Sequence, residues 1–421
     1  MSTIEQQIRA IADEAFAQTE PVLPAPRIAE PQVVMAVDPV DRDARRRMRS
    51  RARLLTVAAT VLVVALVGSL LIATNRSADP TPTDERSGLS ITESLRRLPA
   101  EAATFGDLRI AGADFVALET LTGIERPTTL DDSDARLGRI TSDLGSDPAY
   151  FGVVVPRSEL FTEGLFDPEG FRGELPFSPF DVGQFVTVEM GGGLTRTFDE
   201  FTLVSGADAV QEAVDDDGYL KIGTGELGER NLASRTPLRP LGQPMEVGFD
   251  AETDTVAVDR GVDFVPRWLN GTTDSLLSAS PDLAAVAEQL DRIDGLASFA
   301  LSVEDFSFDP TLYDAAGLDE MIIIDRPFSV LATGWSGIGE SARVVYVYGF
   351  TDEQAAADAA PSIEAVFAPD NVAATPLGEE TLTMRSIFDV ESIETVGRTV
   401  VVTASPQRTD AGFLPPYLFH E

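Results

Sequence analysis

Cysteine is absent from this chain, and histidine and lysine each occur once, as His420 and Lys221. Without cysteine the chain forms no disulfide and offers no thiolate ligand. A zinc centre would therefore need nearly all-carboxylate coordination, which makes such a site a poor hypothesis. A chain of this length can bury enough apolar surface to be stable without covalent cross-links.

One long apolar run contrasts with this otherwise acidic sequence. The run from Leu54 to Thr74 contains no charged residue, and a helix of this length reaches roughly 30 Å, the thickness of a bilayer's hydrocarbon core. Seven arginines lie between Arg42 and Arg53, directly before it. Because positive flanks stay in the cytoplasm, the sequence predicts a cell-membrane protein with one span, an internal N-terminus and an extracytoplasmic C-terminal domain.

A buried core helix and a cleaved signal peptide are the alternatives for this run. A core helix is rarely apolar on every face for five turns. A secretory signal has a much shorter region before its apolar segment than the 53 residues found in this chain. A membrane anchor fits the run better than either alternative.

The negative charge lies almost entirely after the apolar run. Residues 75–421 hold 23 Lys and Arg residues against 61 Asp and Glu residues. Such a field repels nucleic acid, so no nucleic-acid partner is expected, and it attracts divalent cations or basic partners. An acidic surface that serves only solubility is the simpler alternative.

Composition divides the chain into five segments. Residues 1–53 form a cytoplasmic tail, which contains a short amphipathic helix over 3–17, a proline-rich tether and the arginine cluster. The predicted span (54–74) and a linker (75–90) follow. The external region has a first lobe (91–296) and a second lobe (297–421).

The tail contains one candidate interaction motif. Ile4, Ile8, Ile11 and Phe16 repeat at helical spacing after a capping-box pattern, Ser2 followed by Glu5. A short helix with one apolar stripe is marginally stable alone. These four residues therefore predict a surface that binds a cytoplasmic partner, associates with a second copy or lies on the membrane surface.

Two stretches of the external region share one plan. In the first, Phe201 to Gly206 predicts a strand, Ala207 to Asp217 a helix and Tyr219 to Ile222 another strand. In the second, Ala342 to Phe350 predicts a strand, and an alanine-rich helix and two more strands follow, up to Ser405. The expected fold class is α+β, with one transmembrane helix before a two-lobed domain built from β-α-β units with antiparallel strands.

The segments LSASPDLAAVAEQL, from Leu277, and YVYGFTDEQAAADA, from Tyr346, stand in the setting of an N-terminal helix, an arginine cluster and one span. This arrangement resembles uncharacterised single-pass membrane proteins of high-GC Gram-positive bacteria with an exported domain of unknown function. The resemblance implies an exported location and supplies no catalytic residues.

Two apparent catalytic or cofactor motifs fail on their surroundings. The pattern Gly223, Gly225 and Gly228 has the spacing of a dinucleotide fingerprint, but no helix is predicted after it and two glutamates lie in the same loop. Ser336 stands in a sequence like a nucleophile elbow, yet a strand is predicted after it. His420, the base such a serine would need, is the penultimate residue.

Calcium is the metal that the acidic turns could hold. The candidate ligands are Asp131, Asp132 and Asp134 in one turn and Asp215, Asp216 and Asp217 in another. All supply the hard oxygen atoms that calcium prefers. The second turn lacks the spacing of an EF-hand loop, so an acidic surface turn is the favoured interpretation and no cofactor is predicted.

The sequence therefore predicts an anchored, extracytoplasmic binding or scaffolding protein of the cell envelope, and not an enzyme. Its partners would be the lipid bilayer, through one helix, and an envelope ligand or protein. The alternative is a transmembrane regulator or sensor that couples the external domain to a cytoplasmic partner through the N-terminal helix.

Overall fold

The computed structural model describes residues 88–123, 167–191, 196–306, 321–373, 382–407 and 418–420, together with residues 125, 160 and 164. All of them belong to one compact unit, Ala58–Glu421. The predicted amphipathic helix, tether, arginine cluster and membrane span lie outside the described residues.

In the first part of the domain, the described residues form six strands and seven α-helices. Their bounds are α1 Ile91–Arg97, β1 Leu108–Asp114, α2 Phe115–Thr122, α3 Pro168–Glu174, β2 Val182–Met190, β3 Thr197–Leu203, α4 Ala207–Ala213, β4 Tyr219–Ile222, β5 Met245–Asp250, β6 Thr255–Arg260, α5 Val265–Asn270, α6 Leu276–Ala279 and α7 Pro281–Asp291.

The second part begins with the long strand that lies beside β1. The bounds are β7 Leu296–Phe306, β8 Met321–Ile323, β9 Phe328–Ser336, β10 Arg343–Gly349, α8 Glu353–Val366, β11 Val372–Ala373, β12 Leu382–Thr383, α9 Met384–Ile387, β13 Phe388–Val396, β14 Thr399–Pro406 and β15 Leu418–His420.

Eleven strands form one continuous sheet in the order β13-β14-β10-β9-β7-β1-β2-β3-β6-β5-β4. Every neighbouring pair is antiparallel. Four short strands, β12-β11-β15-β8, form a second sheet. The large sheet determines the positions of all the helices that border the candidate site.

The two halves of the large sheet follow a common plan around its centre. In one half β1, β2 and β3 run as a meander, α4 follows, and the hairpin β5–β6 returns to pair with β3. In the other half β7, β9 and β10 form the meander, α8 follows, and β13–β14 returns to pair with β10. Strands β1 and β7 pair with each other and join the halves.

Helices cover both faces of the sheet because its strands bury side chains on both sides. In β10, Val344, Tyr346 and Tyr348 face one apolar core, while Val345 and Val347 face the other. Helices α2, α3, α4, α8 and α9 contribute to the first core, and α1, α5, α6 and α7 to the second. A strand buried on both faces reads as a nearly continuous apolar run, as Arg343–Gly349 does.

A polar contact also links the start of the domain to its middle. The carboxylate of Asp291, at the end of α7, accepts hydrogen bonds from the backbone N–H groups of Ile91 at 2.7 Å and Thr92 at 3.0 Å. These groups lie at the N-terminus of α1, where helical N–H groups lack partners within the helix. Asp291 therefore holds α1 against α7.

The predicted fold class is wrong. Instead of two lobes made from separate β-α-β units, one antiparallel sheet of eleven strands runs through the described residues, because β1 and β7, nearly 200 residues apart, are neighbours. Each predicted strand-helix-strand unit is interrupted by inserted strands: β6 and β5 lie between β3 and β4, and β14 lies between β10 and β13.

The prediction of a transmembrane protein is likewise not supported by the described residues. Among the described residues, none of the helices combines the length and apolarity needed to cross a bilayer. The run from Leu54 to Thr74 lies outside those residues.

Several local predictions are confirmed. Helices α7 and α8 lie where the alanine-rich patterns placed them, and β4 spans the predicted Tyr219–Ile222. Helix α4 ends earlier than expected, at Ala213, because Asp215 begins a turn. The predicted strand from Thr381 instead contains the helical turn α9.

A substitution at Gly112 tests the close packing of β1 between β2 and β7. A Cβ atom at this position of β1 would lie 2.5 Å from the carbonyl oxygen of Phe185 and 2.5 Å from a ring carbon of Phe299. We expect Gly112→Ala to lower the free energy of unfolding by about 1–3 kcal/mol, because the neighbouring strands must move apart. Urea unfolding measures this change.

Gly173→Ala in α3 is the matched control, since a Cβ atom there meets nothing within 4 Å. It should leave stability unchanged or raise it by up to about 1 kcal/mol, as alanine favours helix over glycine. Equal stability of the two variants would contradict the close approach of strands at Gly112.

Candidate acidic groove

An open groove of about 760 Å³ lies beside the β4 edge of the sheet. Its volume lies within the range of small-ligand sites. We call it the acidic groove and define it by its lining residues: Arg97, Asp215, Asp217, Tyr219, Phe249, Asp250, Ala251, Glu252, Pro266, Leu269 and Asn270.

One wall of the groove is the turn between α4 and β4. The side-chain carboxylate of Asp215 accepts hydrogen bonds from the backbone N–H groups of Asp217 at 3.0 Å and Tyr219 at 2.9 Å. Gly218 has a φ of +75°, and a Cβ atom there would lie 2.7 Å from the carbonyl oxygen of Phe249. Glycine is therefore required for this turn to approach β5.

The β5–β6 hairpin also lines the groove. The carboxylate of Asp250 accepts a hydrogen bond from the backbone N–H of Glu252 at 3.0 Å, which orients the start of the hairpin turn. Its other oxygen lies 3.0 Å from a guanidinium nitrogen of Arg97. Asp250 therefore shapes the turn and also fixes Arg97.

Arg97 is held from two sides. Besides its ion pair with Asp250, its guanidinium carbon lies 3.6 Å from the centroid of the Trp268 ring. The indole Nε1–H of Trp268 donates to Glu200 at 2.6 Å, and the hydroxyl of Ser94 donates to the other carboxylate oxygen at 2.6 Å. This buried network, with Glu200 only 8 % exposed, anchors α1 and α5 beside the groove.

The groove combines negative charge with an apolar floor. Asp215, Asp217, Asp250 and Glu252 contribute four carboxylates, whereas Arg97 contributes one guanidinium that is already paired. The floor is formed by Phe249, Pro266 and Leu269. This arrangement suits a ligand with a cationic group on an aliphatic or aromatic body, since the stem packs on the floor while the charge meets carboxylates.

Behind the groove lies a buried group of titratable side chains. The hydroxyl of Tyr219 donates to Glu246, and burial together with this carboxylate raises the pKa of Tyr219 above its usual range. Burial also raises the pKa of Glu246. Burial raises the pKa of Asp259, on the neighbouring strand, to about 7.

Of the two acidic turns considered as calcium sites, only the one at Asp215–Asp217 lies among the described residues. Asp215 and Asp217 line the acidic groove, whereas Asp216 is exposed outside the lining. Within the described part of the chain, no group of three or more acidic, histidine or cysteine side chains is arranged to hold a metal ion. Asp131, Asp132 and Asp134 lie outside the described residues.

The remaining predicted site residues lie outside the described part. They are Ile4, Ile8, Ile11 and Phe16 of the predicted partner-binding helix and the anchor bounds Leu54 and Thr74. Their roles stay predictions.

The residues of the two rejected catalytic and cofactor motifs do not line the acidic groove. Ser336 ends β9 of the large sheet, and His420 belongs to β15 of the small sheet. Gly223, Gly225 and Gly228 follow β4 in a loop that leads to a short 3₁₀ turn at Leu232–Ser234. Trp268 and Trp335 are 1 % and 4 % exposed and belong to the apolar cores.

Sequence reasoning missed most of the groove. Asp250 and Glu252 lie about 35 residues from Asp215, and Arg97 lies more than 100 residues before it. The pairing of β4 with β5 brings the two acidic turns together. The signal available in the sequence was that both turns are acidic.

Comparisons with known proteins identify no relative. The chain matches no protein-family model, no curated protein and no solved structure. The resemblance to proteins of high-GC Gram-positive bacteria therefore stays a prediction, and function must be argued from the groove.

The Trp268–Glu200 hydrogen bond gives a stability test. We expect Trp268→Phe to lower the free energy of unfolding by about 1.5–3 kcal/mol beyond the loss of ring volume, because a buried carboxylate oxygen loses its donor. Urea unfolding at neutral pH measures this loss.

Trp335→Phe controls for the smaller ring. The indole nitrogen of Trp335 is buried without a hydrogen-bond partner among the described residues, so its removal leaves no carboxylate unpaired. The Trp268 variant should therefore be clearly the less stable of the two. Equal losses would show that the bond to Glu200 contributes nothing net.

Proposed function

We propose that this chain is a binding protein whose domain holds a cationic partner in the acidic groove. The observation that carries the proposal is the convergence of four carboxylates from two turns over an apolar floor. The one guanidinium in the lining is already paired with Asp250 and stacked on Trp268, so it neutralises only one of the four.

The groove favours an extended basic segment over a single small cation. Its carboxylates come from two turns, and the apolar side chains of Phe249, Pro266 and Leu269 line the same groove. Arginine and lysine side chains carry a charge at the end of an aliphatic stem, which matches this alternation of apolar and negative surface. A basic peptide is therefore the ligand class that we propose.

The cellular role and location of the protein are predicted from the sequence alone. A scaffolding role at the cell envelope and an extracytoplasmic location stay predictions, as does the absence of enzymatic activity. The alternative of a regulator that acts through the N-terminal helix also stays a prediction, because that helix lies outside the described residues.

Titration calorimetry of the full chain with tetra-arginine amide tests the proposal. We expect binding that weakens when the salt concentration rises from about 0.05 M to about 0.5 M, because the ligand meets exposed carboxylates. The double variant Asp215→Asn, Asp217→Asn should lower the affinity at least about tenfold. The asparagine oxygens can still accept the hydrogen bonds of the turn, so its shape is kept.

The double variant Asp389→Asn, Glu394→Gln is the matched control. It removes the same charge from exposed positions on β13, at the other end of the large sheet, and should bind like the wild type. Tetra-citrulline amide, which is uncharged and nearly isosteric, should not bind. Equal weakening by both double variants would show attraction to the overall negative field and would contradict a site in the groove.

A further inference from the structure

Two buried carboxyl groups face each other on the strands behind the acidic groove. Glu246 of β5 lies directly opposite Asp259 of β6, so their side chains leave the same face of the sheet as neighbours. Glu246 is 5 % exposed and Asp259 is fully buried. Such a pair in a sheet interior is destabilising when both groups are ionised.

The hydrogen bonds of the pair are incomplete. Asp259 accepts from the backbone N–H groups of Val262 at 3.3 Å and Phe264 at 2.6 Å. One oxygen of Glu246 accepts from the hydroxyl of Tyr219, while the other, Oε2, is buried without a hydrogen-bond partner among the described residues. An oxygen of this kind, beside a second carboxyl group, is suited to carry or receive a proton.

The surrounding charges do not neutralise both groups. Lys221 of β4 lies opposite Glu246 but is exposed, and Asp263 adds negative charge. Charged groups on the elements packed nearby have partners of their own. Glu200 of β3 accepts hydrogen bonds from Trp268 and Ser94. Arg267 of α5 pairs with Glu101, and Arg97 of α1 pairs with Asp250. Among the described residues, no arginine or lysine forms an ion pair with Glu246 or Asp259.

We propose that Glu246 and Asp259 share one proton in the folded protein and so form a proton-binding site behind the groove. The proton comes from solvent on folding and returns to it on unfolding. It allows one carboxyl group to donate to the other, which removes one buried charge and gives Glu246 Oε2 a partner. This proposal does not depend on the ligand of the groove.

The direction of the pH effect follows from proton binding. Carboxyl groups in an unfolded chain titrate near about 4, whereas burial raises the pKa of Asp259 to about 7. Between these values the folded state holds a proton that the unfolded state has lost, so this pair's contribution to stability falls as the pH rises from about 4 to about 7. A surface carboxylate in an ion pair has the opposite effect, because its contribution to stability rises with pH, and it does so at lower pH.

Urea unfolding of the full chain between pH 5 and pH 8 tests the proposal. Relative to Glu246→Gln, the unfolding equilibrium constant of the wild type should rise by up to about tenfold per pH unit between pH 5 and pH 7. The amide of the glutamine can donate to Asp259 and accept from Tyr219, so the variant needs no proton. Glu394→Gln, an exposed change on β13, should keep the wild-type pH dependence.

A direct titration of the wild type makes the test independent of variant folding. With carboxyl carbons labelled with ¹³C, the resonances of the pair should shift with an apparent pKa near about 7. The proposal would be overturned if no carboxyl carbon titrated above about pH 5.5, a value midway between the unfolded and buried ranges. It would also be overturned if Glu246→Gln kept the wild-type pH dependence.

Discussion

The antiparallel pairing of β1 with β7 is the contact on which the domain depends. Leu108 pairs with Val303 and Ala113 with Ser298, and the two meanders extend outward from this pair. Without the pairing, each half would present an unpaired edge with apolar side chains on both faces, which is unfavourable in water. The carboxylate of Asp291 caps α1 from the end of α7 and so holds these two helices together beside the sheet.

The acidic groove is a consequence of this arrangement. The sheet places β6, β5 and β4 at one end, where the pairing of β4 with β5 brings the connecting turns close together. Helices α1 and α5 reach this end through the buried network of Glu200, Trp268 and Ser94. The same crowding of acidic side chains that gives the groove its charge also leaves Glu246 and Asp259 side by side in the interior.

Local elements could be predicted from the sequence, and the tertiary arrangement could not. Helical periodicity and nearby capping residues predict α7 and α8. The glycine before Tyr219–Ile222 helps to predict that strand. Whether β1 lies beside β7, or β4 beside β5, depends on contacts between distant residues that local patterns do not encode. The acidic turn at Asp215 was recognised, but its partners Asp250 and Arg97 were not, because only the sheet order brings them together.

Hydrogen exchange in increasing urea, followed by mass spectrometry, tests most directly whether one sheet unites the domain. Peptides that contain β3, in one half, and β10, in the other, should lose protection together at the same urea concentration, because β1 and β7 couple the halves. Loss of protection in one half while the other remains protected would show two independent units. That result would contradict a single cooperative sheet.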